Sequence, residues 1–521
     1  MKNYFYSFLK KNKKLIKTDY NKSKYFFLID RGKGHYISAL HASILGGVIN
    51  EKYKIDPVVI SDLDKREDII NLYKSFGYLN YLTGFRYKYI FFNMIKIFLS
   101  IIILFKGIYL VKRYSFYGFV TKFNIRNIFI GDLIFNSYIR YEKKFLNPKI
   151  DFQFINILFT SIYRTLNLFD YFEKYKPKYV IVATQSYANN HAISIKICVH
   201  KKIKVYEPYF ERYSREYRLR TYDKKKIEYG YQNTFSKDFK KNVINKKIKV
   251  KRLNVFLKKR IRGQIITSYT GDRDLRYSNN SKRKWSLNEL LKFYRLSHKK
   301  FEKIILLAPH AFTDAPHCRG NIFLFRDYFS QTIETLKFIN EKIKSQKVLW
   351  ILRPHPTSII EYGEEGLVKE MVNELNNPLI KLCPSNINTD NILDLVDGVI
   401  TGRGTIGLEA AIKGKKTLIA GGASYSGLGL AIESKSKKMY FNKINDLKCF
   451  TKLSKEKIYL AKKTLYYFDT KKIELKESKI LNEKIRLKKK QQDVFCKSLL
   501  KSYNKIGFKK DPLYINLMKV V

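Results

Sequence analysis

Apolar residues in this chain gather in short runs, most of them stopped by a loop of glycine, proline or charge and followed by a stretch of helical period. Tyr25 to Ile29, Pro57 to Ile60, Tyr179 to Thr184 and Ile203 to Pro208 are runs of this kind in the first half. Ile304 to Ala308, Val348 to Leu352, Leu379 to Leu382, Val399 to Thr401 and Lys415 to Ala420 repeat the pattern in the second. Unbroken apolar runs of this length suit strands covered on both faces, and their alternation with helices predicts parallel βα units. Helices are expected over Asp327 to Lys344, Tyr362 to Asn376 and Asn391 to Val396. Between about Arg212 and Lys300 the strand signal fades, and charge dominates in Lys224-Lys225-Lys226 and Asn279 to Lys284. The interdomain crossing is expected there. The reading is therefore α/β, with two Rossmann-like domains facing a cleft, over residues 1–285 and 286–450, and lysine-rich helices over 451–521.

The loops after the strands carry the chemistry. Val348 to Leu352 stops at Arg353-Pro354-His355-Pro356, where two prolines fix the backbone and present an imidazole at the carboxyl end of a strand. That edge is where ligands bind in open α/β sheets. Thr401 leads into Gly402-Arg403-Gly404-Thr405-Ile406-Gly407 and then the helix-like Leu408-Glu409-Ala410-Ala411-Ile412, a loop suited to a phosphate. A third strand ends in Gly421 to Gly429, a stretch rich in glycine and serine around Tyr425. Upstream, Pro309-His310-Ala311-Phe312-Thr313-Asp314-Ala315-Pro316-His317-Cys318 follows another strand. Its spacing matches no standard zinc site, so no metal is expected. In the first half, Tyr25 to Ile29 leads into Asp30-Arg31-Gly32-Lys33-Gly34-His35. This is not a dinucleotide fingerprint, because Ile37 stands where the third glycine belongs.

Charge adds a partner class. With 102 Lys and Arg against 45 Asp and Glu, the net charge of +57 favours phosphates or anionic lipid. No nucleic-acid-binding signature accompanies it, and no nucleic acid partner is expected. Tyr89 to Val111 is the most hydrophobic window, but Lys96 and Lys106 interrupt it well short of the roughly 20 residues that span a bilayer. It reads either as a helix in the membrane interface or as a buried core helix. Five scattered cysteines and an amino terminus without a signal-peptide pattern point to a reducing, cytoplasmic location, peripheral on the inner face of the plasma membrane if that helix touches lipid.

Two Rossmann-like halves around a cleft form the glycosyltransferase B (GT-B) architecture. Arg353-Pro354-His355-Pro356, Thr401 to Ala411, Gly414-Lys415-Lys416-Thr417 and Tyr425-Ser426-Gly427-Leu428-Gly429 resemble the capsule polysaccharide biosynthesis glycosyltransferases, which include capsule Kdo transferases. The resemblance covers about a quarter of the chain. Leu428 stands where the family's last loop carries tryptophan. The resemblance implies transfer of a sugar, such as a CMP-linked acidic one, from a nucleotide-activated donor to a growing surface polysaccharide or its lipid-linked acceptor, without a cofactor. It assigns His355 to the donor phosphate and Glu409 to the donor ribose. Arg353, Arg403, Gly404, Thr405, Gly407 and Tyr425 complete the expected donor site. Asp314 and His317 are expected at the donor-acceptor junction, and His35, ahead of Asp30 and Glu207, is the first choice of general base. A polyol-phosphate transferase and a non-catalytic polysaccharide assembly factor are the competing readings.

Overall fold

The computed structural model describes residues 24–29, 36–60, 67–78, 80–82, 94–182, 188, 190–211, 216–222, 243–245, 247–261, 284–318, 323–343, 347–355, 364–470, 501 and 507–521. The runs of apolar residues become strands. In the first half these are β1 (Tyr25–Ile29), β2 (Asp56–Ile60), β3 (Asn80–Leu82), a small hairpin of β4 (Asn124–Ile125) and β5 (Ile128–Phe129), then β6 (Tyr179–Val182), β7 (Lys204–Glu211) and β8 (Glu216–Tyr222). Six of them form one sheet in the order β3-β2-β1-β6-β7-β8, parallel except for β8. In the second half, β9 (Lys303–Ala308), β10 (Val348–Leu352), β11 (Ile380–Leu382), β12 (Gly398–Thr401), β13 (Lys416–Ile419) and β14 (Ala431–Glu433) form a wholly parallel sheet in the order β11-β10-β9-β12-β13-β14. Both sheets have the strand order of the Rossmann fold, so both are α/β in the doubly wound sense and the fold is of GT-B type. The order reverses between β1 and β6 in one sheet and between β9 and β12 in the other.

Register decides what leaves the second sheet together. Leu352 of β10 lies opposite Leu307, and Thr401 of β12 lies opposite Ala308. Thr401 Oγ1 also donates to the Ala308 carbonyl at 2.6 Å. The segments beginning at Pro309, Arg353 and Gly402 therefore emerge side by side at the switch point. The helix Tyr328–Lys342 begins at the same end, its start fixed by a capping box between Asp327 and Ser330.

The two domains share a packed boundary. Phe145 of the first lies 5.6 Å from Phe312 and 5.8 Å from Phe329 of the second, ring centre to ring centre. Arg326 Nη2 donates to the Phe145 carbonyl at 2.9 Å. Asp132, which the sequence places near a glycine turn, opens the helix Gly131–Tyr141 and makes a fully buried ion pair with Lys196, at 2.7 Å and 2.9 Å.

Three boundaries differ from those expected. β8 extends the first sheet to Tyr222, inside the stretch read as a crossing. The helix Val250–Ile261, within the expected first domain, instead packs with the helix Lys455–Thr470 and the second domain through Leu253, Phe256 and Leu257. Lysine-rich sequence hid both, because their apolar residues are sparse and amphipathic. The last helix, Pro512–Val520, returns to the first domain, where Leu513 and Leu517 are completely buried. Tyr53 and Tyr206 both donate hydroxyl hydrogens to the Val521 carbonyl, at 2.8 Å and 3.2 Å.

Candidate functional site

The carboxyl ends of β9 and β10 and the start of the helix Tyr328–Lys342 bring three rings into a stack. The His310 ring lies 5.1 Å from His355, at 13° between planes, and 4.6 Å from Tyr328 on its other face, at 16°. Tyr328 in turn packs against Gly402 of the glycine loop. Two Pro-His dipeptides, Pro309-His310 and Pro354-His355, thus leave neighbouring strands in the same way and set their imidazoles face to face.

His310 Nδ1 lies 3.1 Å from the Ala311 amide and 3.3 Å from Asp314 Oδ2. The nitrogen accepts from the amide in the tautomer that leaves it bare and donates to the carboxylate in the tautomer that places the proton on it. Burial lowers the pKa of half-buried His355 to about 3; His310 pushes the same way and Asp314 opposes it. His355 is therefore neutral near pH 7. Arg403 is 1% exposed, with its guanidinium 5.4 Å from the centre of the Phe323 ring. Gly404 and Thr405, half-buried, follow it into the helix Ile406–Ile412. The turn from Ala311 to Asp314 is held by Glu364, a buried carboxylate that accepts from the Phe312 amide at 2.9 Å and the Thr313 amide at 3.3 Å. Across the domain boundary, Arg140 Nη1 donates to Thr313 Oγ1 at 3.4 Å.

This arrangement joins His355, Asp314, Arg403, Gly404 and Thr405 at one sheet edge, and gives other expected site residues different work. His317 is fully buried: its Nδ1 accepts from the Phe323 amide at 3.2 Å and its Nε2 donates to the Arg326 carbonyl at 2.9 Å. Both nitrogens serve the backbone, and burial lowers its pKa to about 3, so it holds the loop and moves no proton. Arg353 donates through Nη1 to the Ile387 carbonyl and through Nη2 to Thr389 Oγ1, at 3.1 Å and 3.3 Å. Its guanidinium ties the loop after β11. Tyr425 is a completely buried core ring whose hydroxyl donates to the Gly404 carbonyl at 3.0 Å.

Gly407 lies under Tyr425, where a Cβ would come within 1.9 Å of the hydroxyl oxygen. Its amide donates to Gly404 at 3.2 Å, so its role is to admit the tyrosine rather than to bind an anion. Glu409 is half-buried in the first turn of its helix. Glu207 lies in mid-strand, fully buried, and accepts from Tyr222 at 2.6 Å, which removes it as a base. His35 and Asp30 lie outside the described residues.

The family model described as capsule polysaccharide biosynthesis protein matches residues 276–465, the span that holds β9 to β14 and the paired histidines. The match lies almost wholly within the second domain. Among curated proteins none matches the sequence. Solved structures with some likeness include two Kdo transferases of Thermosulfurimonas dismutans KpsC. The β-Kdo 2,4 transferase is 13% identical over 55% of this chain and 79% of its own, with a TM-score of 0.32. The β-Kdo 2,7 transferase is 16% identical over 57% and 79%, with a TM-score of 0.27. S. aureus MnaA, solved with UDP, is 12% identical over 85% and 91%, with a TM-score of 0.25. At these values the likeness bears no weight, and the assignment of the family's domain rests on the matched segment and its strand ends.

Sequence reading assigned no site role to Tyr328, His310, Glu364 or Arg140. For His310 the signal was present in the repeated strand-Pro-His pattern. The other three contact the site from elements remote in sequence, and their spacing carries no mark of it.

Proposed function

We propose that this chain is a glycosyltransferase of surface polysaccharide synthesis. A nucleotide-activated sugar would bind at the carboxyl ends of β9, β10 and β12, and a polysaccharide or glycolipid acceptor would sit towards the first domain. The observation that carries the reading is the stack of His310 and His355 at the switch point of the domain that matches the capsule family, with Arg403 and Gly404 in the loop that leaves the neighbouring strand β12. Cleavage of a nucleotide-sugar bond builds negative charge on the departing phosphate. A buried guanidinium and imidazoles arranged in advance stabilise that charge without reorganising. A bound phosphate would also raise the depressed pKa of His355, turning the ring from a neutral donor into a cationic one as charge develops.

A binding screen of the full chain against CMP, UDP, GDP and CDP-glycerol, by titration calorimetry, tests this. One nucleotide is expected to bind, and His355→Ala to weaken it by about tenfold or more, the range for a hydrogen bond to a charged group. Selective CMP binding would favour an acidic sugar as the donor, and CDP-glycerol would move the reading to polyol-phosphate transfer. Failure of all four to bind would overturn the enzyme reading.

A further inference from the structure

We propose that the helical segment Met94–Lys122, through the part that precedes its break at Ser115, docks the protein in the plane of an anionic membrane by an outward apolar stripe. The helix has two apolar faces. The inward one, with Ser100, Gly107, Leu110 and Val111, packs on the first domain. A Cβ at Gly107 would approach Leu158 Cδ2 to 2.8 Å, so the helix is seated closely on its neighbour Phe152–Tyr175. Lys96 pins the start of the helix to the same neighbour through Asn167 and Asp170.

The outward face is apolar as well. Ile95 is 78% exposed, Phe98 65%, Ile102 51%, Phe105 64% and Tyr109 54%, and their spacing forms one line along the helix. With Met94, Leu99 and Ile101 beside them, and about 200 Å² per side chain, the exposed area is on the order of 900 Å². The largest apolar patch of an ordinary monomer is roughly 300–600 Å². This stripe exceeds it and is far more continuous than scattered exposed residues.

Charge identifies the occupant. Lys106, Lys112 and Arg113 are exposed before the break at Ser115 and Lys122 beyond it, and Met94 to Lys122 contains no acidic residue. Tyr114 sits among these cations, with Lys122 4.4 Å and Arg113 5.6 Å from its ring centre. Apolar rings flanked by basic side chains suit the boundary between acyl chains and anionic headgroups. A second copy of the chain would bring the same cations against one another, on a protein of net charge +57. The helix is long and apolar enough by composition to cross a bilayer. Yet its inward face is committed to the domain, which leaves only one side for lipid. The geometry is therefore that of a helix lying in the interface. The proposal does not depend on the sugar-transfer reading.

Co-sedimentation of the full chain with phosphatidylcholine vesicles, with and without phosphatidylglycerol, tests the surface. Binding is expected to require phosphatidylglycerol and to fall as salt rises. Phe98→Glu and Phe105→Glu should each weaken it by about tenfold or more, the loss of one aromatic side chain from lipid. Lys106→Gln and Lys112→Gln should each weaken it by about fivefold, the worth of one cation at such a surface. All four side chains point outward, so circular dichroism should be unchanged and a misfolded variant recognised. The proposal is overturned if neither vesicle carries the protein down, or if the glutamate variants bind as well as the wild type. It is equally overturned if the wild type forms a concentration-dependent dimer that Phe105→Glu abolishes, or if carbonate fails to release the protein from membranes.

Discussion

Gly407 and Tyr425 offer a direct test of whether the third glycine loop is packing or binding surface. A methyl group at residue 407 would sit 1.9 Å from the Tyr425 hydroxyl oxygen, 2.8 Å from Cζ and 3.0 Å from Thr417 Cγ2. Comfortable contact is about 3.5 Å or more. The ring has nowhere to go, because Tyr425 is completely buried in a cluster with Leu408, Leu428, Leu430 and Ala461. Gly407→Ala therefore overpacks the core at about 1–3 kcal/mol and dislodges the bond to the Gly404 carbonyl, worth about 1 kcal/mol more. The expected loss is about 2–4 kcal/mol.

Tyr425→Phe alone removes only the hydroxyl and its bond, at about 1 kcal/mol. In the double variant the closest clash has been deleted with the hydroxyl, so the two losses should fall short of additive by about 1–2 kcal/mol. Urea unfolding of the full chain, followed by tryptophan fluorescence, reports on this region, since Trp285 and Trp350 both lie in the second domain. Losses that add to within about 0.5 kcal/mol would refute the packing argument. A stability left intact while nucleotide affinity falls would make Tyr425 a ligand-stacking residue after all.

Other consequences can be measured in the same way. His41 and His317 are buried with pKa values lowered to about 3, whereas the unfolded chain binds these protons near pH 6.5. Their neutral forms thus support the fold fully above about pH 6.5, and that support is lost as pH falls towards 3, by about 1.4 kcal/mol per pH unit for each residue. Urea midpoints at pH 7 and pH 5 should differ accordingly, and His317→Gln should show a shallower slope; identical slopes would refute the assignment. Asp132→Asn leaves Lys196 as a buried cation and should cost about 3–5 kcal/mol in urea unfolding, while Asp132→Leu with Lys196→Met should restore most of it. A harmless single substitution would mean that water reaches the pair. Leu517→Ala should destabilise the first domain by about 2–5 kcal/mol; an unchanged unfolding midpoint by circular dichroism would refute the docking of the last helix.

The sequence makes the second domain readable because its strands are buried on both faces and end in rigid loops. Val348 to Leu352 and its Arg-Pro-His exit could hardly be anything else. Individual roles were less legible, because residue type gives the chemistry but not the direction. Arg353 and His317 are the residues a phosphate or a proton transfer would call for, and each faces backbone or loop atoms instead. Tyr425 and Gly407 look like a ligand-stacking ring and a phosphate cradle until their mutual distance is known. Glu364 and Tyr328 reach the site only through tertiary packing, which no spacing rule records. The first domain was harder, since β8 and the hairpin of β4 and β5 are half polar, and short pieces of that kind resemble loops.

The return of the last helix to the first domain has a consequence for the order of synthesis. Domains of a growing chain ordinarily close one after another, beginning at the amino terminus. Here Phe508, Leu513 and Leu517, which complete the apolar surface around the helix Tyr36–Tyr53, are translated only after every strand of the second domain. The first domain must wait with part of its interior open while its partner is being made, and that interval is when a chaperone would find it.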